Sequence, residues 1–200
     1  STLQHVAITG LARSGKTSLL HYINKVLTLP PRALRAGQLG QQVPRSRIQN
    51  WAYIDFQDPR TLTTAGFFQT LLRQLDLPLD GPVSLPRYAD LLADRLKGSL
   101  MIQMDEVQWA LSNPEFDLAF WAMLRSLASS ALEGRVSYMI STHKSLDQLT
   151  TYTGDHSPFF NIFGHRLELK PFSEEDAREL AASSPIPFAR ADVDWIIARS

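Results

Sequence analysis

Hydrophobic positions along this chain change their period repeatedly. Apolar, mostly β-branched or aromatic residues are consecutive at 5–9 (His-Val-Ala-Ile-Thr), 51–56 (Trp-Ala-Tyr-Ile-Asp-Phe), 100–104 (Leu-Met-Ile-Gln-Met) and 136–140 (Val-Ser-Tyr-Met-Ile). Runs this short predict buried strands, and His165-Arg166-Leu167-Glu168-Leu169 predicts a last one. Between them the apolar positions fall at helical spacing. Leu19, Leu20, Ile23, Val26 and Leu27 mark one helix over 17–27, and Phe67, Phe68, Leu71, Leu72 and Leu75 a second, ended by Leu77-Pro78. Tyr88 to Leu96 is a third, with Leu91, Leu92 and Leu96 inside. Phe116, Phe120, Trp121, Leu124 and Leu127 give a fourth with an aromatic face, which at this spacing is core. Further helices begin at Leu146 and at Ser173-Glu174-Glu175-Asp176, a capping-box pattern. Asp192 is placed to cap a last one carrying Val193, Ile196 and Ile197.

The connections are punctuated by proline and glycine. Pro30-Pro31 opens a stretch rich in Arg, Gly and Gln that runs to about Asn50, and Pro82 to Pro86 reads as a linker. Arg32, Arg35, Arg45 and Arg47 sit among Pro and Gly with no aromatic platform, so the first stretch reads as a solvated loop. The patch Ser157-Pro158-Phe159-Phe160-Asn161-Ile162-Phe163 either buries against the sheet or meets another domain or partner. Strands alternating with helices make this an α/β domain.

Composition changes that picture little. Two hundred residues suit one α/β domain, or one plus part of another, and 44% hydrophobic residues supply a core. A formal net charge of zero argues against nucleic acid as a partner. With no cysteine, disulfides and thiolate metal sites are excluded. Neither a signal peptide nor a bilayer-spanning run is present, so no membrane partner and a cytoplasmic location are expected. Residues 1–170 are expected to form the nucleotide-binding domain. Residues 171–200 would start an incomplete C-terminal helical segment, with the chain a module of a longer polypeptide.

The chemistry concentrates between the first strand and the first helix. Gly10-Leu11-Ala12-Arg13-Ser14-Gly15-Lys16-Thr17 fits G-x-x-x-x-G-K-[ST], the Walker A phosphate loop. Strand, glycine loop and helix are the context that motif requires. Gly10 and Gly15 let successive N–H groups turn inward toward phosphate oxygens, and the helix start adds unpaired N–H groups and the positive end of its dipole. Residues Gly10 to Ser18 (Gly10, Leu11, Ala12, Arg13, Ser14, Gly15, Lys16, Thr17, Ser18) are therefore the candidate nucleotide contacts. Lys16 would reach the β- and γ-phosphates, and the Thr17 hydroxyl would ligate Mg²⁺.

A second acidic signal follows the strand at 100–104. Asp105-Glu106 at its end is the Walker B arrangement. The Asp holds Mg²⁺ through its water shell, and the Glu polarises the water that attacks the γ-phosphate. Asp55 falls near the end of the second strand and Asp58 follows in a turn with Pro59. An acid here could approach Mg²⁺ or the attacking water, but more often caps the following helix or satisfies loop amides. Ser141-Thr142-His143 closes the fourth strand, with Thr142 and His143 the better candidates for sensing the γ-phosphate. Arg125 and Arg135 carry no local mark that separates an arginine finger from a surface arginine. A guanine-reading Asn-Lys-x-Asp does not occur, because Asn24-Lys25 is followed by Val26-Leu27.

In order, G-L-A-R-S-G-K-T-S-L-L, W-A-Y-I-D-F, M-I-Q-M-D-E, Y-M-I-S-T-H and L-E-L-K-P-F-S-E-E-D-A resemble the STAND class of signalling ATPases, relatives of the AAA+ proteins. The resemblance covers nearly the whole chain. It implies a P-loop NTPase three-layer sandwich with a parallel sheet in the order 5-1-4-3-2, ATP/ADP and Mg²⁺ as cofactors, and slow hydrolysis. It also implies a switch in which nucleotide state controls homo-oligomerisation and an attached effector. Lys16, Thr17, Asp105 and Glu106 match the family's nucleotide and magnesium positions, while Thr142-His143 stands where many relatives have Thr-Arg. A DNA-associated AAA+ loader or translocase, related to origin-recognition proteins, is the alternative.

Overall fold

The computed structural model describes residues 3–33, 48–77, 84–153 and 158–199. Five strands, β1 (Val6–Gly10), β2 (Asn50–Asp55), β3 (Leu100–Asp105), β4 (Val136–Thr142) and β5 (His165–Leu169), form one sheet in the order β2-β3-β4-β1-β5. Every pair is parallel. Read from the other edge, this is the expected order 5-1-4-3-2. The helices of this unit are α1 (Lys16–Thr28), α2 (Thr64–Gln74), α3 (Leu85–Arg95), α4 (Gln108–Leu111), α5 (Leu118–Ser129) and α6 (Leu146–Thr153). Parallel strands need crossovers, and these helices supply them on both faces of the sheet.

Strand alternation sends Ala52, Ile54, Leu100, Ile102, Met104, Val136, Tyr138 and Ile140 to one face. There they meet α2, α3, α5 and the 3-10 turn Pro158–Ile162 in a core dominated by rings. Phe67, Phe68, Phe116, Phe120, Trp121, Phe159 and Phe160 contact one another edge-on or tilted, at centroid separations from 4.7 to 6.2 Å. The aromatic patch at 157–163, left open by its sequence, thus turns inward: Phe159, Phe160 and Phe163 are buried. The other face is thinner. Ile8, Met101 and Met139 from the strands meet Leu20 of α1, with Ile23 and Trp51 partly buried beside them.

Several boundaries differ from the sequence expectation for identifiable reasons. Helix α3 begins at Leu85, so Pro86 belongs to its first turn, where a missing N–H costs nothing; Pro82 lies outside the described residues. Helix α5 begins after Asp117, whose carboxylate accepts from the Phe120 amide (2.9 Å), leaving Phe116 in the preceding turn. Of the arginines at 32–47, Arg32 sits in a 3-10 turn (Pro31–Ala33), and the others lie outside the described residues.

Residues 1–169 form one compact unit and 170–200 a second. The second contains α7 (Glu174–Ala182) and α8 (Arg190–Ile197). Ser173 and Asp176 close the capping box at the start of α7. Arg178 joins the two helices, reaching Glu174 and Asp194 at 2.7 Å each. Asp192 is not the cap of α8: Ala189 holds that position without a side-chain acceptor, and Asp192 lies within the first turn. An acid there still favours the helix dipole. Among the described residues no helix is long and apolar enough to cross a membrane.

Candidate nucleotide site

The loop between β1 and α1 is shaped by two glycines. A β-carbon at Gly10 would lie 2.7 Å from the Leu169 carbonyl oxygen and 2.7 Å from Ser14 Oγ, closer than any side chain tolerates. Gly15 precedes α1 in the left-handed region (φ 87°), where residues with a β-carbon are strained. Arg13 also has positive φ (64°), so the chain doubles back between the two. Ser14 N donates to the Leu11 carbonyl at 3.2 Å, closing the turn.

Helix α1 leaves this loop with its amino end open. Its cap, Gly15, has no side chain, and no acidic residue stands in the first turn. The first intrahelical bond runs from Leu19 N to Gly15 O (2.8 Å), so helix geometry leaves the amides of Lys16, Thr17 and Ser18 without intrahelical acceptors. Thirteen residues of aligned dipole concentrate partial positive charge there. Lys16 adds a whole charge. Its side chain is only 3% exposed, and Nζ donates to the carbonyls of Gly10 (3.1 Å) and Leu11 (2.8 Å). No carboxylate pairs with it among the described residues. A buried ammonium with neutral acceptors and one donor to spare favours an anion. Ser14 Oγ is buried with no partner among the described residues, a further polar atom in the loop. Leu11, Ala12, Thr17 and Ser18 are exposed, so the loop's outer rim and the Thr17 hydroxyl are open to ligands.

The acidic pair stands at the carboxyl end of β3, next to β4. Register explains which side chains reach it. Tyr53 pairs with Gln103 and Asp55 with Asp105 across β2 and β3, while Gln103 pairs with Met139 across β3 and β4. Period two therefore puts Tyr53, Gln103, Asp105, Met139 and Ser141 on the face that carries α1. Asp105 is 1% exposed there. Tyr53 Oη donates to its Oδ2 at 2.8 Å, and Ser141 Oγ donates to its Oδ1. Burial, and then the Asp105 carboxylate, push the Tyr53 phenol well above its usual range, so it stays protonated and remains a donor. Ser141 Oγ also accepts from the Glu106 amide (3.1 Å), and Ser141 O from the Val107 amide (3.1 Å).

Glu106 itself occupies the left-handed region (φ 55°), an unfavourable conformation for a residue with a β-carbon. Those two bonds to Ser141 hold the turn. Its carboxylate accepts from Gln108 Nε2, while Gln108 Oε1 is buried without a partner among the described residues. Thr142 falls on the opposite face by the same alternation. It is buried, and its hydroxyl accepts from the Lys144 amide (3.0 Å). His143 is exposed. Ser141, and neither of these two, meets Asp105.

The remaining acidic and basic candidates have local roles. Asp55 Oδ1 accepts from the Gln57 amide (2.8 Å), and Asp58 caps the next turn while forking onto Arg60. Arg60 holds the Asp58 carboxyl down to about 2. Arg135 sits before β4, at the end of the sheet remote from the loop, and donates to the Leu96 carbonyl (2.8 Å). Tyr53 and Gln108 were missed by sequence reasoning, and Ser141 was ranked behind Thr142 and His143. The residues fit a magnesium nucleotide: uncapped amides and a buried ammonium for phosphate, with hydroxyl and carboxylate oxygens, the hard donors that Mg²⁺ takes, at Thr17 and Asp105. No cluster of three His, Cys, Asp or Glu exists among the described residues, and magnesium held partly by phosphates needs none.

Several solved structures share this fold. The chain is similar to the ORC2 protein of Aeropyrum pernix, solved in ADPNP–ADP complexes, with a TM-score of 0.68 at 18% identity over 90% of this chain and 45% of that one. It is also similar to Cdc6p of Pyrobaculum aerophilum (TM-score 0.60, 16% identity, 88% of this chain and 42% of that one). The Walker-type ATPase Paby2304 of Pyrococcus abyssi matches at TM-score 0.60 and 14% identity over 98% of this chain and 57% of that one. The chain thus spans less than half the length of the first two. No family model matches the chain, and no curated protein matches it.

Proposed function

We propose that this chain is an ATP- and magnesium-binding module that hydrolyses its nucleotide slowly and serves as the switch of a STAND-type signalling protein. The observation that carries the nucleotide reading is Lys16: a buried ammonium with no carboxylate partner among the described residues, inside a glycine-bounded loop at an uncapped helix start. Residues Gly10 to Ser18 would wrap the phosphates, with loop amides donating and Lys16 neutralising the β- and γ-oxygens. Thr17 and Asp105 would hold Mg²⁺, which supplies charge neutralisation at the phosphates when bound. Glu106 would orient the attacking water and accept its proton. Just beyond β4, the exposed His143 would sense the γ-phosphate, while the buried Thr142, on the opposite face, would hold that turn through the Lys144 amide. Other domains of a longer polypeptide and further copies of the chain are the partners this reading requires.

Turnover tests it. Phosphate release by the wild type should be slow, and Glu106→Gln should lose it by a factor on the order of a hundred or more while still binding ATP. Equal rates in the two would remove Glu106 from the chemistry.

The likeness to solved ORC and Cdc6 structures gives a second reading, a DNA-associated ATPase. The ORC1 protein of Aeropyrum pernix, solved in complex with DNA, matches at a TM-score of 0.62. That reading predicts duplex binding that weakens steeply as salt rises. The zero net charge favours the switch, for which no such binding is expected.

A further inference from the structure

Asp105 is not a bare carboxylate at a strand end. Each of its oxygens already accepts a hydroxyl proton, Oδ2 from Tyr53 on β2 and Oδ1 from Ser141 on β4. The two neighbours of β3 therefore grip its terminal acid from both sides. Each gripping residue is itself held. The backbone of Tyr53 exchanges two hydrogen bonds with the Gln74 side-chain amide at the end of α2, at 2.8 and 2.7 Å, and its ring lies 4.5 Å from that of His21 on α1. Ser141 lies inside β4, where its hydroxyl and carbonyl also bind the Glu106 and Val107 amides.

We propose that Tyr53 and Ser141 are positioning residues that fix the Asp105 carboxylate in the rotamer from which it receives magnesium. An ionised carboxylate has about four lone-pair sites, so two remain for a metal-bound water after the two hydroxyls are satisfied. Outer-shell donors of this kind hold a ligand in one orientation before the metal arrives, and so remove the entropic cost of ordering it. The pair differs in reach. Loss of the Tyr53 hydroxyl frees one oxygen of Asp105 alone, whereas loss of the Ser141 hydroxyl frees the other oxygen and also unpins the strained backbone of Glu106. This inference rests on the reading of Asp105 as the magnesium residue.

The test uses Mn²⁺ as a spectroscopic probe, titrated into the full chain saturated with ADP, for wild type, Tyr53→Phe, Ser141→Ala and Asp105→Asn. Nucleotide affinity is measured in parallel in EDTA. Tyr53→Phe keeps the ring against His21 and should weaken Mn²⁺ about tenfold while leaving metal-free ADP affinity unchanged. Ser141→Ala should weaken Mn²⁺ at least as much. Mn²⁺ affinity equal to wild type in both variants, with Asp105→Asn impaired, would overturn the positioning role and leave the metal assignment standing. A parallel fall of ADP affinity in EDTA would show packing and overturn it as well. If Asp105→Asn binds Mn²⁺ like wild type, the metal assignment fails and the inference with it.

Discussion

On one face of the sheet, rings meet rings from Phe56 through Phe67, Phe120 and Trp121 to Phe163. On the other, α1 rests on Ile8, Met101 and Met139, and much of what joins it to the strands is polar: Gln103 Nε2 donates to the Leu20 carbonyl (3.0 Å), and Asn24 Nδ2 donates to Gln103 Oε1 (3.3 Å). Stability and chemistry are divided between these faces. The aromatic face removes large apolar areas from water, each ring worth roughly 1.5–3 kcal/mol on full burial. The α1 face places charged and hydroxyl groups of exact register beside a helix start. Packing there is sacrificed for positioning, as expected where a site must hold groups that burial alone would disfavour.

The largest expected effect breaks the aromatic face. Phe159 is fully buried, with the rings of Trp121, Tyr138, Phe160 and Phe163 at 5.1 to 5.5 Å. Phe159→Ala should cost about 3–5 kcal/mol in denaturant unfolding, while folded protein keeps its nucleotide affinity. Lost affinity in the folded variant would show that the two faces are not separable.

A smaller loss sharpens the other half. Gln103→Leu keeps the volume but removes the amide that ties α1 to β3, and should cost about 1 kcal/mol. Because α1 carries the loop, the same variant should bind nucleotide more weakly than wild type. Full affinity at reduced stability would assign Gln103 to packing alone.

The smallest effect is a pH dependence within the aromatic face. His5 Nδ1 accepts from the Tyr138 amide (3.1 Å), and its ring stacks on Tyr138, so the folded state needs the imidazole neutral. Burial lowers its pKa below the ordinary 6.5. As pH falls, the unfolded chain takes up the proton first, so this contribution to stability is complete above about 6.5 and declines as pH drops through that value. Thermal melts from acid to neutral pH should show the decline in wild type and a flatter profile in His5→Phe. A wild-type profile as flat as the variant's would contradict it.

Much of this division was legible in the sequence, and the rest for a physical reason was not. Strand runs, helix periods and the glycine loop are local patterns, and they placed all five strands within a residue or two. The order of those strands came with the family resemblance and agrees with the sheet. Pairwise contacts were hidden because they depend on register. Tyr53 read as one more aromatic strand residue and Gln103 as an interruption, though alternation places both on the α1 face. Ser141 was passed over for Thr142 and His143, yet one residue along a strand decides which face a hydroxyl reaches. The aromatic patch at 157–163 was open between core and interface, since apolarity alone does not say what covers it.

The central claim is that Lys16 is buried to hold phosphate. The most direct test is calorimetric titration of ATP and ADP, with Mg²⁺, into the wild type and Lys16→Ala, with circular dichroism to confirm that both are folded. Binding to the wild type that falls by two orders of magnitude or more, roughly the loss of a buried charge-assisted contact, is the predicted result. Equal binding by a folded Lys16→Ala, or heat from neither nucleotide in either protein, would contradict it.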